Sequence, residues 1–484
     1  MARGSGLNFV GLLVSQSATF VISLILARAL GRTNLGIYAQ AFAVLSLLQM
    51  IAMGGLHTGT MRFVAVNRAG KDSGAVYGTV LLGIGAAIGL ASVLGLGLYL
   101  ASDWMAVSVF SERGLAEPLR AVALALPAAT FAGVALGATQ GFKTMKASAS
   151  IGLILEPVLR VALTVLFLAL GRGVMGAMVA LVTSNCIAAI LSAGAIRRLL
   201  KEPAAPVYEP RKLFAFSSVS WLGSLANSGM IWTDTVILGI YLPSAEVGVY
   251  SVATRLVVLA SLVQTAINSS LGPRIADLYH REEHHALERA YRAAANWTVR
   301  LALPAFTVLV IFPEELLDIF GRGFRTAAAV TAVLALGKLV DAATGPCALM
   351  LNMSGRPLLN TLNNLAVLVV NVLLNVLLVP RFGLIGAAAS WTISLTLVNL
   401  ARVIEVWVTM RMWPFGVAMV KGMAAAAAGA VPAWFIGSTL SGLPALLVGA
   451  AALGLVYLAV VIVLGITEED RLVFSAMKGR LRRA

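Results

Sequence analysis

Stretches of about twenty residues, almost free of charge, recur from Leu7 nearly to the C-terminus, and this feature decides the class of fold. About twenty apolar residues in a helix cross the roughly 30 Å hydrocarbon core of a bilayer. Only 12% of the 484 residues are charged and 59% are hydrophobic, where a soluble domain carries roughly 25% charge. Lipid offers the backbone no hydrogen-bond partners, which leaves helices or a closed barrel. A barrel would alternate apolar and polar residues over about ten positions, and these runs are continuous. The chain reads as an all-α polytopic membrane protein.

About fourteen spans are predicted, centred near Phe20, Ser46, Gly89, Ala128, Leu163, Ser184, Gly229, Leu259, Pro304, Val333, Val370, Ser394, Ala427 and Leu455. The first is read as retained, because its apolar run continues to Leu30 without a small-residue cleavage site. Basic residues concentrate in alternate connections, at Arg62, Arg68, Lys71, Lys143, Lys146, Arg197, Arg198, Lys201, Arg211, Lys212, Arg274, Arg281, Arg289 and Arg292. By the positive-inside rule these face the cytoplasm, and so do both termini. The net charge of +15 then reports topology rather than nucleic-acid binding. Cys186 and Cys347 both lie in apolar segments and read as packing residues.

The sequence repeats itself at an offset near 210 residues. ARALGRTNLGIYAQAFAVLSLL, from Ala27, matches GIYLPSAEVGVYSVATRLVVLA, from Gly239, pairing Gly36 with Gly248 and Tyr38 with Tyr250. LGRGVMGAMVAL, from Leu170, matches PRFGLIGAAAS, from Pro380, pairing Gly173 with Gly383 and Gly176 with Gly386. Six spans per repeat is an even number, so the halves are parallel and related by a pseudo-two-fold along the membrane normal. The expected organisation is a six-helix lobe over 1–200, a flexible cytoplasmic linker over 201–212, a second six-helix lobe over 213–412, two appended helices over 413–466 and a basic tail over 467–484.

A charge at a helix centre costs roughly 2.5–3.5 kcal/mol on insertion scales, so such residues mark candidate sites. Glu156 and Arg160 stand four apart with Pro157 between them, and Lys338 and Asp341 stand three apart. Asp234 and Arg255 flank a short turn at similar depth, as an ion pair, a gate or a device fixing register. Arg300 has no acidic neighbour on its own helix and suits an anionic ligand. Arg28 is nearer a span end, where snorkelling competes. Asn364, Asn371 and Asn375 share one helix face, either lining a cavity or joining helices.

These segments, with Asp234 ahead of GIYLPSAEVGVYSVATRL, resemble the polysaccharide-biosynthesis (Wzx-type) flippases of the multidrug, oligosaccharidyl-lipid and polysaccharide exporter superfamily over residues 7 to 410. The resemblance implies two lobes around a cationic cavity in a bacterial inner membrane. It would carry an undecaprenyl-diphosphate-linked saccharide outward, with polymerase or assembly proteins as partners. Arg28, Arg160, Arg255, Arg300 and Lys338 would meet the anionic headgroup. Asp234, Asp341, Glu156, Asn371 and Asn375 would gate or couple transport to an ion. The related lipid II flippases bind sodium through an acid in span seven and polar groups in span eleven. Here span eleven offers amides where a second carboxylate is expected, which leaves sodium and proton coupling both open, and no other cofactor is expected.

Other functions fit less well. A glycosyltransferase or polymerase would need a catalytic outer loop or an Asp-x-Asp pair, and the sequence holds neither. His280, His284 and His285 have metal-like spacing but sit in a charged stretch that reads as a solvated helix. A multidrug antiporter of the same superfamily would favour surplus intramembrane acid for its cationic cargo. A nontransporting scaffold is the third alternative.

Overall fold

The computed structural model describes residues 2–200 and 204–465. The expected basic tail, and Lys201 to Pro203 of the expected linker, lie outside the described residues. Among the described residues the regular structure is entirely helical, with ten helices or helical runs long and apolar enough to cross a membrane.

Two of those runs are too long for one crossing. At 1.5 Å per residue, the 64 residues of Gly6–Ala69 would make a rod about three times the ~30 Å hydrocarbon thickness. The run holds α1 (Ala2–Met53) and α2 (Leu56–Ala69), and α1 is itself broken at Gly31, where φ is 74° and ψ −178°. Gly54 and Gly55, both with positive φ, separate α1 from α2. An L side chain adopts such angles only under strain, so glycine marks the breaks.

The chain divides into two units, Met1–Ser251 and Val252–Ala484. In the first, α3 (Ser73–Trp104) and α4 (Ala116–Gly141) pack together and α4 packs on α2. α5 (Glu156–Ala169) follows a π-helical stretch, Ser148–Leu155. Pro157 has no N–H to return to the preceding turn, and a wider ladder is one way a helix absorbs that gap. α6 (Gly173–Leu199) packs on α4 and α5, and α7 (Pro210–Tyr241) packs on α1 and α2. α8 (Ser244–Ala260) holds the boundary between the units.

The described part of the linker, residues 204–209, does not float free. The Val207 N–H donates to the Gly74 carbonyl at 3.0 Å, and a Cβ at Gly78 would overlap the Val207 carbonyl. The proline-rich composition suggested a loose connection, but two small residues on α3 let this backbone lie against the helix. Gly78→Val is expected to detach it and expose 204–209 to protease. Limited proteolysis in detergent checks this, with Gly85→Val as the control because a Cβ there meets nothing within 4 Å.

The second unit contains α9 (Leu262–His280), α10 (His284–Ile311), the short α11 (Pro313–Asp318), α12 (Ala328–Ala343), α13 (Cys347–Met353), α14 (Pro357–Met410), α15 (Val417–Thr439) and α16 (Leu443–Val463). α14 is two helices joined through Gly383, at φ 58° and ψ −133°. Its repeat partner Gly173, at φ 56°, opens α6. Three residues later, a Cβ at Gly176 would press on Phe167, and one at Gly386 would press on the Leu378 carbonyl. The two repeats therefore turn the same corner by the same device.

A further matched pair meets inside the first unit. A Cβ at Gly36 would fall on the Ser244 carbonyl, and one at Gly248 would fall on the Arg32 carbonyl. Residues 32 and 244, like 36 and 248, are 212 apart in the sequence. Contact of i with j′ matched by contact of j with i′ is the pattern of a local two-fold. Close backbone approach through small residues is how membrane helices gain dispersion energy without a hydrophobic driving force.

Candidate functional site

Glu156 and Arg160 lie on one face of α5, as their four-residue spacing requires, with Arg160 Nε 3.5 Å from Glu156 Oε1. The Ser184 hydroxyl of α6 donates to the same carboxylate oxygen at 3.0 Å. Arg160 is buried and its guanidinium lies 5.3 Å from the ring centre of Phe42 on α1. Phe42 in turn meets Trp232 of α7 edge-on, with centroids 5.2 Å apart and planes at 66°. A cation and two aromatic rings thus form a continuous path across three helices of the first unit.

Trp232 lines a cavity of about 350 Å³, together with Ser46, Gln49, Met50, Met53, Gly55, His57 and Ser224. Ser46, Gln49, Met50 and Met53 recur at three- and four-residue spacing, on one helix face. α7 is held beside them at two points. The Trp221 indole donates to the Met50 carbonyl at 3.2 Å, and the bare Cα of Gly55 admits the Ser217 carbonyl. Sequence reasoning passed over this cavity because its lining is uncharged. The signal available to it was Ser46 and Gln49, three apart on an otherwise apolar span, with His57 just beyond the Gly54–Gly55 break.

Asp234 lies two residues beyond Trp232, buried, and accepts a hydrogen bond from the Tyr250 hydroxyl at 3.3 Å. Arg28 is exposed near the break at Gly31. Arg255, half-buried on α8, belongs to the second unit, whereas Asp234 belongs to the first.

In the second unit, Lys338 Nζ lies 3.0 Å from Asp341 Oδ2. Gln264 Nε2 donates to the same oxygen at 3.1 Å, and Asn399 Nδ2 donates to Oδ1 at 2.8 Å. Lys338 also lies 5.7 Å from the Trp391 ring centre. The network continues as Arg402 donates to Asn399 at 3.3 Å and to Asn364, while Asn363 donates to Glu405 at 2.6 Å. Each named donor on Asp341 is an amine or amide N–H, whereas a bound cation requires oxygen acceptors. Gln264, Asn399, Arg402 and Glu405 were absent from the sequence-derived set. Arg402 and Glu405, three apart in an apolar run, are legible by the rule that found Lys338 and Asp341.

The remaining candidates are dispersed. Asn371 and Asn375 are fully buried on α14, one turn apart, and Asn375 Nδ2 donates to the Asn371 carbonyl at 2.9 Å. Both amide atoms of Asn371 lack a hydrogen-bond partner among the described residues. Asn364, expected on the same face, is engaged by Arg402. Arg300 is buried between α10 and the C-terminal helix pair, its Nε donating to the Ala418 carbonyl at 3.1 Å. The Tyr457 hydroxyl donates to the Arg300 carbonyl at 2.8 Å. These bonds tie Arg300 to helix docking, a role its lack of an acidic neighbour on α10 did not suggest. His280, His284 and His285 are exposed around the α9–α10 turn, and among the described residues no cluster of three His, Cys, Asp or Glu could hold a metal.

Comparison with known proteins places this architecture. Among solved structures, the lipid II flippase MurJ in an inward closed conformation superposes with a TM-score of 0.77, covering 93% of this chain and 97% of that one at 10% identity. An inward-facing multidrug resistance MATE family transporter of the MOP superfamily superposes at 0.69, covering 82% and 95% at 15% identity. At such identities the likeness is one of fold. Two curated relatives from Haloferax volcanii match part of the sequence. The probable low-salt glycan biosynthesis flippase Agl15 is 29% identical over 185 residues, 38% of this chain and 39% of that one. The probable flippase AglR is 29% identical over 194 residues, 40% and 41%. The matched region thus spans about two fifths of these relatives' length. The MatE family model matches residues 220–377, and the family model described as polysaccharide biosynthesis protein matches residues 1–279, more than half of the chain. With its helical membrane fold and its repeat, the chain is therefore a multi-pass membrane protein that belongs to the polysaccharide biosynthesis protein family.

Proposed function

We propose that this protein is a flippase that moves a saccharide linked through diphosphate to a polyprenyl lipid from the cytoplasmic to the outer leaflet. The observation that carries the reading is the family match over residues 1–279, joined by two relatives named as probable flippases, one of them for glycan biosynthesis. An anionic headgroup needs a polar, cation-bearing path, while the polyprenyl tail can stay in lipid. Among the charged residues singled out as intramembrane candidates, the basic Arg28, Arg160, Arg255, Arg300, Lys338 and Arg402 outnumber the acidic Glu156, Asp234, Asp341 and Glu405. That balance favours an anionic cargo over a cationic drug.

The proposed machinery is two parallel six-helix lobes, 1–200 and 213–412, joined by the linker and followed by two appended helices, with both termini in the cytoplasm. Fourteen crossings follow when the glycine-broken runs count as pairs and α7 and the α8–α9 segment are added. The shared corner at Gly173 and Gly383, and the reciprocal contact of Gly36 with Gly248, support the repeat. Alternating access would be driven by a sodium or proton gradient through Asp234, Asn371 and Asn375. The donors around Asp341 favour a different role for that residue, as the counterion that holds Lys338 and fixes helix register. Arg160 and Arg255 are the basic residues assigned to the headgroup.

Loss of the protein from its host is the test in cells. Lipid-linked saccharide is expected to accumulate on the cytoplasmic leaflet while the surface glycan disappears, with drug sensitivity unchanged. The match of residues 220–377 to the MatE model favours a multidrug exporter as the second reading. Drug hypersensitivity with normal surface glycan would select that reading.

A further inference from the structure

We propose that the cavity lined by Trp232, Gln49, His57, Ser46 and Ser224 is a subsite for an uncharged pyranose, separate from the basic residues that meet the diphosphate. The inference rests on the flippase reading and adds which part of the ligand this site holds. At about 350 Å³ the cavity lies at the small end of the roughly 300–1,000 Å³ range of ligand pockets, a size for one sugar ring rather than a chain. Its described lining contains no carboxylate, lysine or arginine. A diphosphate stripped of water there would have no cation to meet it, which costs far more than placing neutral hydroxyls beside amides and imidazole.

The lining suits a pyranose on both counts that matter. A sugar ring presents an apolar C–H face, which a large flat aromatic covers at little conformational cost. Trp232 is the only large aromatic (Phe, Tyr or Trp) ring in the described lining, and Phe42 holds it from the side at 5.2 Å. The ring's edge carries hydroxyls, which need partners of both kinds. Gln49 Nε2 is committed to the Ala129 carbonyl at 3.0 Å, an arrangement that fixes the amide beside the cavity with its Oε1 as acceptor. His57 Nε2 lies 3.0 Å from the Thr58 hydroxyl, and its buried Nδ1 has no hydrogen-bond partner among the described residues. Met50 and Met53 supply the deformable remainder of the wall. Arg160 lies on the Phe42 ring at 5.3 Å, and Phe42 lies on Trp232 at 5.2 Å, so the nearest established cation in this path is separated from the cavity's aromatic wall by one ring.

Binding of two lipids to the purified full chain in detergent tests this: polyprenyl diphosphate, and the same lipid bearing one N-acetylglucosamine. Wild type is expected to bind the sugar-bearing lipid about tenfold more tightly. In Trp232→Ala and in Gln49→Ala this ratio is expected to fall to about one, while Trp232→Phe keeps part of it. His57→Gln, on a different helix, gives an independent loss of the ratio should Trp232→Ala fail to fold. A wild-type ratio near one, or variants that keep the wild-type ratio, overturns the subsite and leaves the flippase reading standing. Failure of wild type to bind either lipid overturns both.

Discussion

Gly36→Leu and Gly248→Leu are each expected to cost at least about 3 kcal/mol, the upper part of the usual range for overpacking. Neither glycine has an unusual φ, so the cost comes from the crossing alone. A Cβ at either position lands on a backbone carbonyl in the first turn of the facing helix, and a backbone carbonyl there cannot rotate aside as a side chain can. The helices must separate, and the dispersion contacts beyond the crossing are lost with them. Thermal melts followed by size-exclusion chromatography check this, with Gly89→Leu as the control because a Cβ there meets nothing within 4 Å. Since the two sites form one reciprocal contact, the double variant is expected to lose much less than the sum of the singles.

Removing one member of the Lys338–Asp341 pair gives the second large effect. Lys338→Met leaves a carboxylate with only the amide donors Gln264 and Asn399, and Asp341→Asn leaves an ammonium against Trp391. Each single change is expected to cost roughly 3 kcal/mol, because a largely buried charge loses its counterion. The double variant Lys338→Met/Asp341→Asn removes both charges and is expected to be more stable than either single variant. Thermal melts of the four proteins form the cycle; additive losses would show that the two side chains act independently.

Both pairs of effects trace back to features of different legibility. Glu156 with Arg160 and Lys338 with Asp341 could be read directly, because spacing along a helix fixes which side chains meet. The reciprocal glycines were legible as a repeat, though not as a contact. A missing side chain shows in a sequence, but what occupies its space does not. Gln264 and Asn399 reach Asp341 from 77 and 58 residues away, a matter of tertiary packing that no local period encodes. The cavity beside Trp232 was hidden for a second reason. A search keyed to charge finds where an anion could be held and overlooks a neutral lining. Arg300 was picked out by the absence of an acid on its own helix, which said nothing about the Ala418 carbonyl on another.

Transport in reconstituted vesicles tests the central claim most directly. Labelled polyprenyl-diphosphate saccharide, placed in one leaflet of proteoliposomes under a sodium or proton gradient, is expected to become accessible in the other far faster than in protein-free vesicles, and more slowly with Arg160→Ala or Arg255→Ala. A rate equal to that of protein-free vesicles under both gradients, with a fluorescent drug cation transported instead, would contradict the account.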